Sequence, residues 1–160
     1  MTAPNAPTEL PDIDPEAIAG ASVLLVDDHE QNLELLQAYL EELGCSTSMA
    51  RDGAEAVEAV EKNPPDLVLL DVMMPKLSGY QVCEKIKSDP DTRDIPVIMV
   101  TALGEISDVE RAVDVGADDF LTKPVHQLEL VTRVKSLLRV RLLKQQLAEA
   151  LRKVEELGGA

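Results

Sequence analysis

The amino-acid sequence predicts an α/β fold built on one open, doubly wound parallel sheet. Three short apolar runs, at residues 23–26, 67–70 and 97–100, lack the alternation of a half-exposed strand. Unbroken runs of this kind are typical of strands buried on both faces of a parallel sheet. Segments with helical periodicity separate the runs. This alternation favours right-handed crossovers, with helices on both faces of the sheet.

The first long helix and two weaker strands complete the pattern. Four leucines recur at spacings of three and four: Leu33, Leu36, Leu40 and Leu43. Gly44 follows them as a predicted helix stop. Residues 45–50 are polar enough for an edge strand, and residues 119–122 form a second weak strand. The chain is therefore expected to contain five βα units.

Two later helices carry start signals in the sequence. Asp52 with Glu55, and Ser107 with Glu110, have the spacing of a capping box. Gly116 is the predicted stop of the second of these helices.

Length and composition favour one folded domain with appendages at both ends. The 160 residues, 45% of them hydrophobic, are enough for a single core. We expect a flexible leader over residues 1–21, a main domain over residues 22–138 and a helical extension over residues 139–160. The leader lacks the pattern of a secretory signal, and no apolar run approaches the roughly 20 residues that cross a membrane. A soluble, cytoplasmic protein is expected.

Polar side chains stand at the ends of four predicted strands. Asp27 and Asp28 follow the first strand, Asp71 the third, Thr101 the fourth and Lys123 the fifth. In open α/β sheets, ligands bind beyond the carboxyl ends of the strands. Crowded carboxylates repel one another, and a hard divalent cation such as Mg²⁺ removes that cost. With a hydroxyl and an ammonium nearby, the set predicts phosphoryl transfer to a carboxylate.

At these residues the chain resembles the receiver domains of bacterial two-component response regulators, of the chemotaxis Y type. The resemblance covers about residues 22–138 and rests on LLVDD, LLDVMMPKLSG, VIMVTA and DFLTKP, in matching order. It implies a flavodoxin-like sheet of strand order 2-1-3-4-5. It also implies a phospho-switch in signal transduction whose partner is a sensor histidine kinase or a phosphotransfer protein, and which is not itself an enzyme.

The resemblance implies a Mg²⁺ cofactor and a role for each residue that would hold it. Asp71 is the expected phosphoacceptor and metal ligand. Asp28 would bind the metal directly, Asp27 through water, and Met73 through its backbone carbonyl.

A second group of residues would hold the oxygens of the phosphoryl group and respond when that group is attached. By the same resemblance, Thr101, the backbone N–H of Ala102 and Lys123 would bind the oxygens, and the Lys123–Pro124 bond would be cis. Thr101 and Phe120 match the switch pair of the family.

Other reactive residues are given plainer interpretations. His29, next to the acidic pair, is interpreted as a residue of the site rim rather than a base or metal ligand. Tyr39 and Tyr80 are interpreted as packing residues. Cys45 and Cys83 lie far apart without metal-ligand spacing, so buried free thiols are expected.

The charge of residues 22–125 and the apolar pattern of the last helix indicate which partners to expect. Residues 22–125 carry 22 acidic and 8 basic groups, so direct nucleic-acid binding is not expected. A heptad-like stripe on the last helix predicts a homodimer through residues 140–157; its members are Val140, Leu143, Leu147, Ala150, Val154 and Leu157. The alternative is an amphipathic helix laid on its own domain.

The sequence bears on three other interpretations of the whole chain. It can be the receiver part of a longer regulator whose output domain is absent from these residues. A haloacid-dehalogenase-type phosphatase would need a second acid two positions after its nucleophile, where this chain has Met73 and, after Asp27, His29. A nucleotide-binding module would need a Walker or Gly-x-Gly-x-x-Gly loop, which the sequence lacks.

Overall fold

The protein forms one five-stranded parallel sheet in the order β2-β1-β3-β4-β5, as a computed structural model describes it over residues 15–102 and 106–158. The strands are β1 Ser22–Val26, β2 Ser46–Ala50, β3 Leu67–Asp71, β4 Val97–Thr101 and β5 Asp119–Thr122. All four strand pairs are parallel. The doubly wound class and the strand order expected from the resemblance are confirmed.

Helices cover both faces of this sheet. They are α1 Pro15–Ala19, α2 Glu30–Leu40, α3 Gly53–Lys62, α4 Gly79–Ser88, α5 Ile106–Asp114 and α6 Gln127–Gly158, with a 3₁₀ turn at Glu41–Leu43. One apolar cluster joins the sheet to α1, α2 and α6, and the other joins it to α3, α4 and α5. Among the described residues, no helix has both the length and the apolar character needed to span a bilayer.

The burial of each strand explains its sequence pattern. All five residues of β3 are buried, because helices pack on both of its faces. In β1, Leu24 and Val26 face one cluster while Val23 and Leu25 face the other. The edge strand β2 is exposed at alternate positions, which accounts for its polar composition.

Helix boundaries test the predicted start and stop signals. Gly44 and Gly116 both adopt positive φ, at 72° and 87°, as the predicted stops require. The Asp52 side chain accepts a hydrogen bond of 2.7 Å from the Glu55 N–H, which confirms the cap of α3. The Ser107 cap is wrong, because Ser107 lies inside α5, which already includes Ile106.

The last residues of the predicted leader include a short helix that packs on the domain. Residues 1–14 lie outside the described residues, but Pro15–Ala19 form α1. Ile18 and Ala21 are buried in the cluster that includes Leu138 of α6. This short helix is ordered by apolar contacts with α6, which local composition does not reveal.

The long helix α6 has a packed half and an exposed half. Its buried residues are Leu130, Val131, Val134 and Leu138. Leu142 and Leu143 are partly buried against the same cluster. From residue 144 to residue 158 every position is exposed. Packing against the body thus continues past residue 138, while the predicted division into three segments stays a prediction.

The tight contact of Gly79 with the end of β3 predicts a destabilising substitution. A Cβ at Gly79 would overlap the Asp71 carbonyl oxygen and lie 2.8 Å from the Val72 Cα. We expect Gly79→Ala to lower the free energy of unfolding by about 1–3 kcal/mol, measured by urea denaturation. Gly20→Ala is the control, since its Cβ would meet no atom closer than 3.6 Å. Equal stability of the two variants would contradict the prediction.

Candidate functional site

The five predicted strand-end residues converge at the carboxyl edge of the sheet. Asp27 and Asp28 directly follow β1, Asp71 ends β3, Thr101 ends β4 and Lys123 directly follows β5. Because the strands are parallel and adjacent, these positions share one edge. The Lys123 backbone N–H also donates to the Thr101 carbonyl oxygen at 2.7 Å, which joins the last two strand ends.

A single ammonium lies between two buried carboxylates. The Lys123 Nζ is 3.3 Å from the Asp27 Oδ2 and 3.4 Å from the Asp71 Oδ1. Asp27 and Asp71 are only 2% and 3% exposed. The Lys123–Pro124 peptide bond is cis, as the resemblance implied.

Burial is the main influence on the acidity of Asp71. Desolvation raises the pKa of this carboxyl, and repulsion from Asp27 raises it further. The Lys123 ammonium and a hydrogen bond from the Met73 backbone lower it, but the net shift is upward. A divalent cation would offset the same desolvation and repulsion, so this donor set fits a hard cation such as Mg²⁺.

Asp28 and His29 form the rim of the acidic pocket. His29 is 69% exposed on its side chain, and its Nδ1 lies 3.0 Å from the Asp28 Oδ1. The same nitrogen is 3.4 Å from the Asp27 Oδ1. The rim position of His29 is confirmed, but its ring faces the carboxylates and is not turned away from them.

The residues of the expected switch lie on one face of the sheet. Phe120 aligns with Met99 of β4, and Thr101, two residues further along β4, shares the face of Met99. Thr101 is fully buried, and Phe120 is half-buried against the cluster covered by α3, α4 and α5. Ala102 is exposed at the end of β4.

Sequence reasoning missed two features beside the site, although the sequence contains a signal for each. Ser78 and Gln81 form a full capping box at the start of α4, and the Ser-x-x-Gln spacing could have revealed it. Beside Asp27 and Lys123 lies a cavity of about 240 Å³. Leu35 lines this cavity. It lies outside the stripe of Leu33, Leu36 and Leu40 that α2 buries, and a leucine off this stripe was the signal in the sequence.

Among the tyrosines and cysteines, Cys45 departs from its interpretation, because it is not fully buried. Tyr80 is buried, and its hydroxyl donates to the Asp108 carbonyl oxygen at 3.3 Å. Tyr39 lines the cavity beside the site. Both cysteines are free; burial raises the pKa of the Cys83 thiol to about 11, whereas Cys45 is only half-buried.

Comparison with known proteins shows that this chain is similar to part of several regulators. The chain is 44% identical over 129 residues to the response regulator PleD of Caulobacter vibrioides, which covers 81% of this chain and 28% of PleD. It is 42% identical over 117 residues to the DNA-binding dual master transcriptional regulator RpaA of Synechocystis, covering 73% of this chain and 48% of RpaA. The chain thus spans about a quarter to a half of these relatives.

Solved structures and a family profile agree with these relatives. The signal receiver domain of a signal transduction histidine kinase from Syntrophus aciditrophicus superposes with a TM-score of 0.70 at 43% identity, over 74% of this chain and 90% of that chain. The profile of the response regulator receiver domain matches residues 23–135. With its strand order and acidic pocket, this chain belongs to the family of response regulator receiver domains.

Proposed function

We propose that the protein is a phospho-switch that accepts a phosphoryl group on Asp71, from the phosphohistidine of a sensor histidine kinase or phosphotransfer protein. The observation that carries the proposal is the contact of one ammonium with two buried carboxylates, at 3.3 and 3.4 Å. Asp71 ends β3 with the Lys123 ammonium beside it, where an incoming phosphoryl group would gain a positively charged partner.

In the transfer, an Asp71 carboxylate oxygen forms the new bond to phosphorus. The bond between phosphorus and the histidine nitrogen breaks, and its electron pair returns to the imidazole of the partner. Lys123, Thr101 and the Ala102 N–H bind the phosphoryl oxygens, consistent with their shared position at the carboxyl edge.

Mg²⁺, when bound, supplies charge neutralisation at the same pocket. Asp28 and Asp71 would hold it directly, Asp27 through water and Met73 through its carbonyl. The raised pKa of the Asp71 carboxyl supports this assignment, because a cation favours the ionised form that attacks phosphorus.

The output of the switch is a change in protein contacts. Phe120 faces α5, while its neighbours Asp119 and Leu121 face α6. A movement of Phe120 would thus reach α6 through β5. We propose that α6 pairs with a second copy and connects to an output domain of a longer regulator, since PleD and RpaA are two to four times as long as the matched region.

The stripe that would form this dimer differs from the predicted one. Beyond residue 139, the exposed large apolar residues of the helix are Val140, Leu147, Leu151, Val154 and Leu157. Leu143 is partly covered by the domain itself, so the contact between the two α6 helices would depend more on residues beyond residue 144. Leu151, which the heptad pattern omitted, extends the exposed surface.

Substitution of the acceptor gives the most direct test. We expect Asp71→Asn to reduce acid-labile phosphate incorporation from a small phosphodonor to background, measured by intact-protein mass spectrometry. Chelation of divalent cations should do the same in the wild type, because the carboxylates then repel the donor. Asp114→Asn, on the exposed end of α5, is the matched control. Undiminished incorporation in the Asp71 variant would mean that another residue is the acceptor.

The lifetime of the phosphoryl group provides a second test. Met73 is exposed two residues after Asp71 and has no polar group to orient an attacking water. We expect Met73→Asn to speed dephosphorylation at least about threefold, well below the roughly 10²–10⁴-fold effect of an aligned general base. Met73→Leu keeps the apolar character and should decay at the wild-type rate. Equal decay in all three proteins would remove this position from the mechanism.

A charged residue placed in the exposed apolar stripe of α6 tests the pairing of α6 with a second copy. Leu147 is 60% exposed in the single chain. We expect Leu147→Glu to weaken dimerisation at least about tenfold in sedimentation, because an unpaired carboxylate is disfavoured in an apolar seam. Leu128→Glu, also exposed on α6 but outside the stripe, is the control. A monomer at every concentration, with or without a phosphoryl mimic, would contradict the proposed dimer.

A further inference from the structure

Three side chains at the end of β1 are arranged as a compact metal-binding group. One ligand atom from each of Asp27, Asp28 and His29 lies within 4.8 Å of the other two. We propose that His29 is a metal ligand at this pocket, so that it raises the affinity of the pocket for imidazole-preferring cations such as Co²⁺, Ni²⁺ or Zn²⁺ relative to its affinity for Mg²⁺. This inference deepens the proposed function, since it concerns which cation occupies the pocket beside Asp71.

The distances within the group match the separation of ligands around one ion. At metal–ligand bonds of about 2.1 Å, neighbouring ligand atoms lie about 3.0 Å apart in an octahedron and about 3.4 Å apart in a tetrahedron. The His29 Nδ1 lies 3.0 Å from the Asp28 Oδ1 and 3.4 Å from the Asp27 Oδ1. The His29 Nδ1 therefore lies at a ligand-like separation from one oxygen of each carboxylate, and the ligand atoms of all three residues lie within 4.8 Å of one another.

The orientation of the His29 ring is not explained by the helix that it precedes. His29 is the N-cap residue of α2, yet its side chain makes no capping hydrogen bond. Its backbone N–H instead donates to the Asp27 Oδ1 at 2.9 Å. This contact fixes the β1–α2 turn so that the Nδ1 faces the carboxylates. The exposed side of the ring leaves room for water molecules to complete a coordination shell.

The two oxygens of Asp27 have separate partners. Its Oδ2 contacts the Lys123 ammonium, while its Oδ1 faces His29. Lys123 therefore orients Asp27 as an outer partner orients a metal ligand. The Lys123 ammonium contacts Asp27 and Asp71, and Asp28 lies at the rim beside His29. The three carboxylates therefore exceed the one ammonium, and this excess of negative charge favours a divalent cation.

A nitrogen ligand changes which cation is favoured. Mg²⁺ prefers oxygen ligands and gains little from an imidazole. Affinity at sites with nitrogen and oxygen ligands rises from Mn²⁺ through Co²⁺ to Ni²⁺ and Cu²⁺. His29 would therefore act on the ratio of affinities, because both kinds of cation share Asp27 and Asp28. A simple hydrogen bond between His29 and Asp28 predicts no such selectivity.

The test measures cation binding to the whole chain without a phosphodonor. Co²⁺ and Mg²⁺ are titrated into the wild type, His29→Ala and His126→Ala, the last being the control at the other histidine of the chain. We expect His29→Ala to lower the ratio of Co²⁺ to Mg²⁺ affinity at least about tenfold. The control should keep the wild-type ratio. Any smaller change in the ratio for His29→Ala would overturn the proposal, even if both affinities fell together.

Nuclear magnetic resonance gives a readout specific to the ring. With two histidines in the chain, the imidazole signals are simple to assign. Zn²⁺ should shift the His29 ring nitrogen and leave His126 unmoved, whereas Mg²⁺ should shift neither. An unmoved His29 signal at saturating Zn²⁺ would overturn the proposal. Failure of Asp71 phosphorylation with Mg²⁺ would instead count against the proposed function, because neither binding measurement involves phosphoryl transfer.

Discussion

The contact of the Lys123 ammonium with two buried carboxylates is the interaction on which the rest of the site depends. Asp27 follows β1, Asp71 ends β3 and Lys123 follows β5, so one charge cluster joins three strand ends. The strand order β1-β3-β4-β5 brings these strand ends to one edge, with β4 lying between β3 and β5. Two carboxylates in an apolar sheet would otherwise oppose folding through desolvation and repulsion.

Close packing beside the cluster keeps Asp71 in place. Gly79 lies against the backbone of Asp71 and Val72, where no side chain fits. The Ser78–Gln81 capping box fixes the start of α4 at the same point. The loop that carries Met73 is therefore held at both ends, by β3 and by α4. The position of Asp71 is thus linked to the packing of α4 on the sheet.

The path from the site to the long helix is set by the alternation of β5. Phe120 packs on the face covered by α5, whereas Leu121 packs in the cluster that contains α6. Asp119 pairs with Arg133 of α6 at 2.9 Å. The expected switch pair of Thr101 and Phe120 thus lies on the face of the sheet opposite to α6. A change at Thr101 would reach the extension through β5 and its connection to α6, and not through one shared apolar face.

The sequence alone determined the sheet and the members of the site. Strands buried on both faces need unbroken apolar runs, and the polar residues that follow such runs must meet at one edge. Only the tertiary structure decided which parts of amphipathic segments are covered. Ile18 orders α1 because α6 passes beside it, and Leu143 is partly buried because α6 leaves the body just beyond it. The contact of His29 with Asp28 likewise depends on the β1–α2 turn. Periodicity reports local backbone geometry, whereas burial of a given side chain depends on segments distant in the chain.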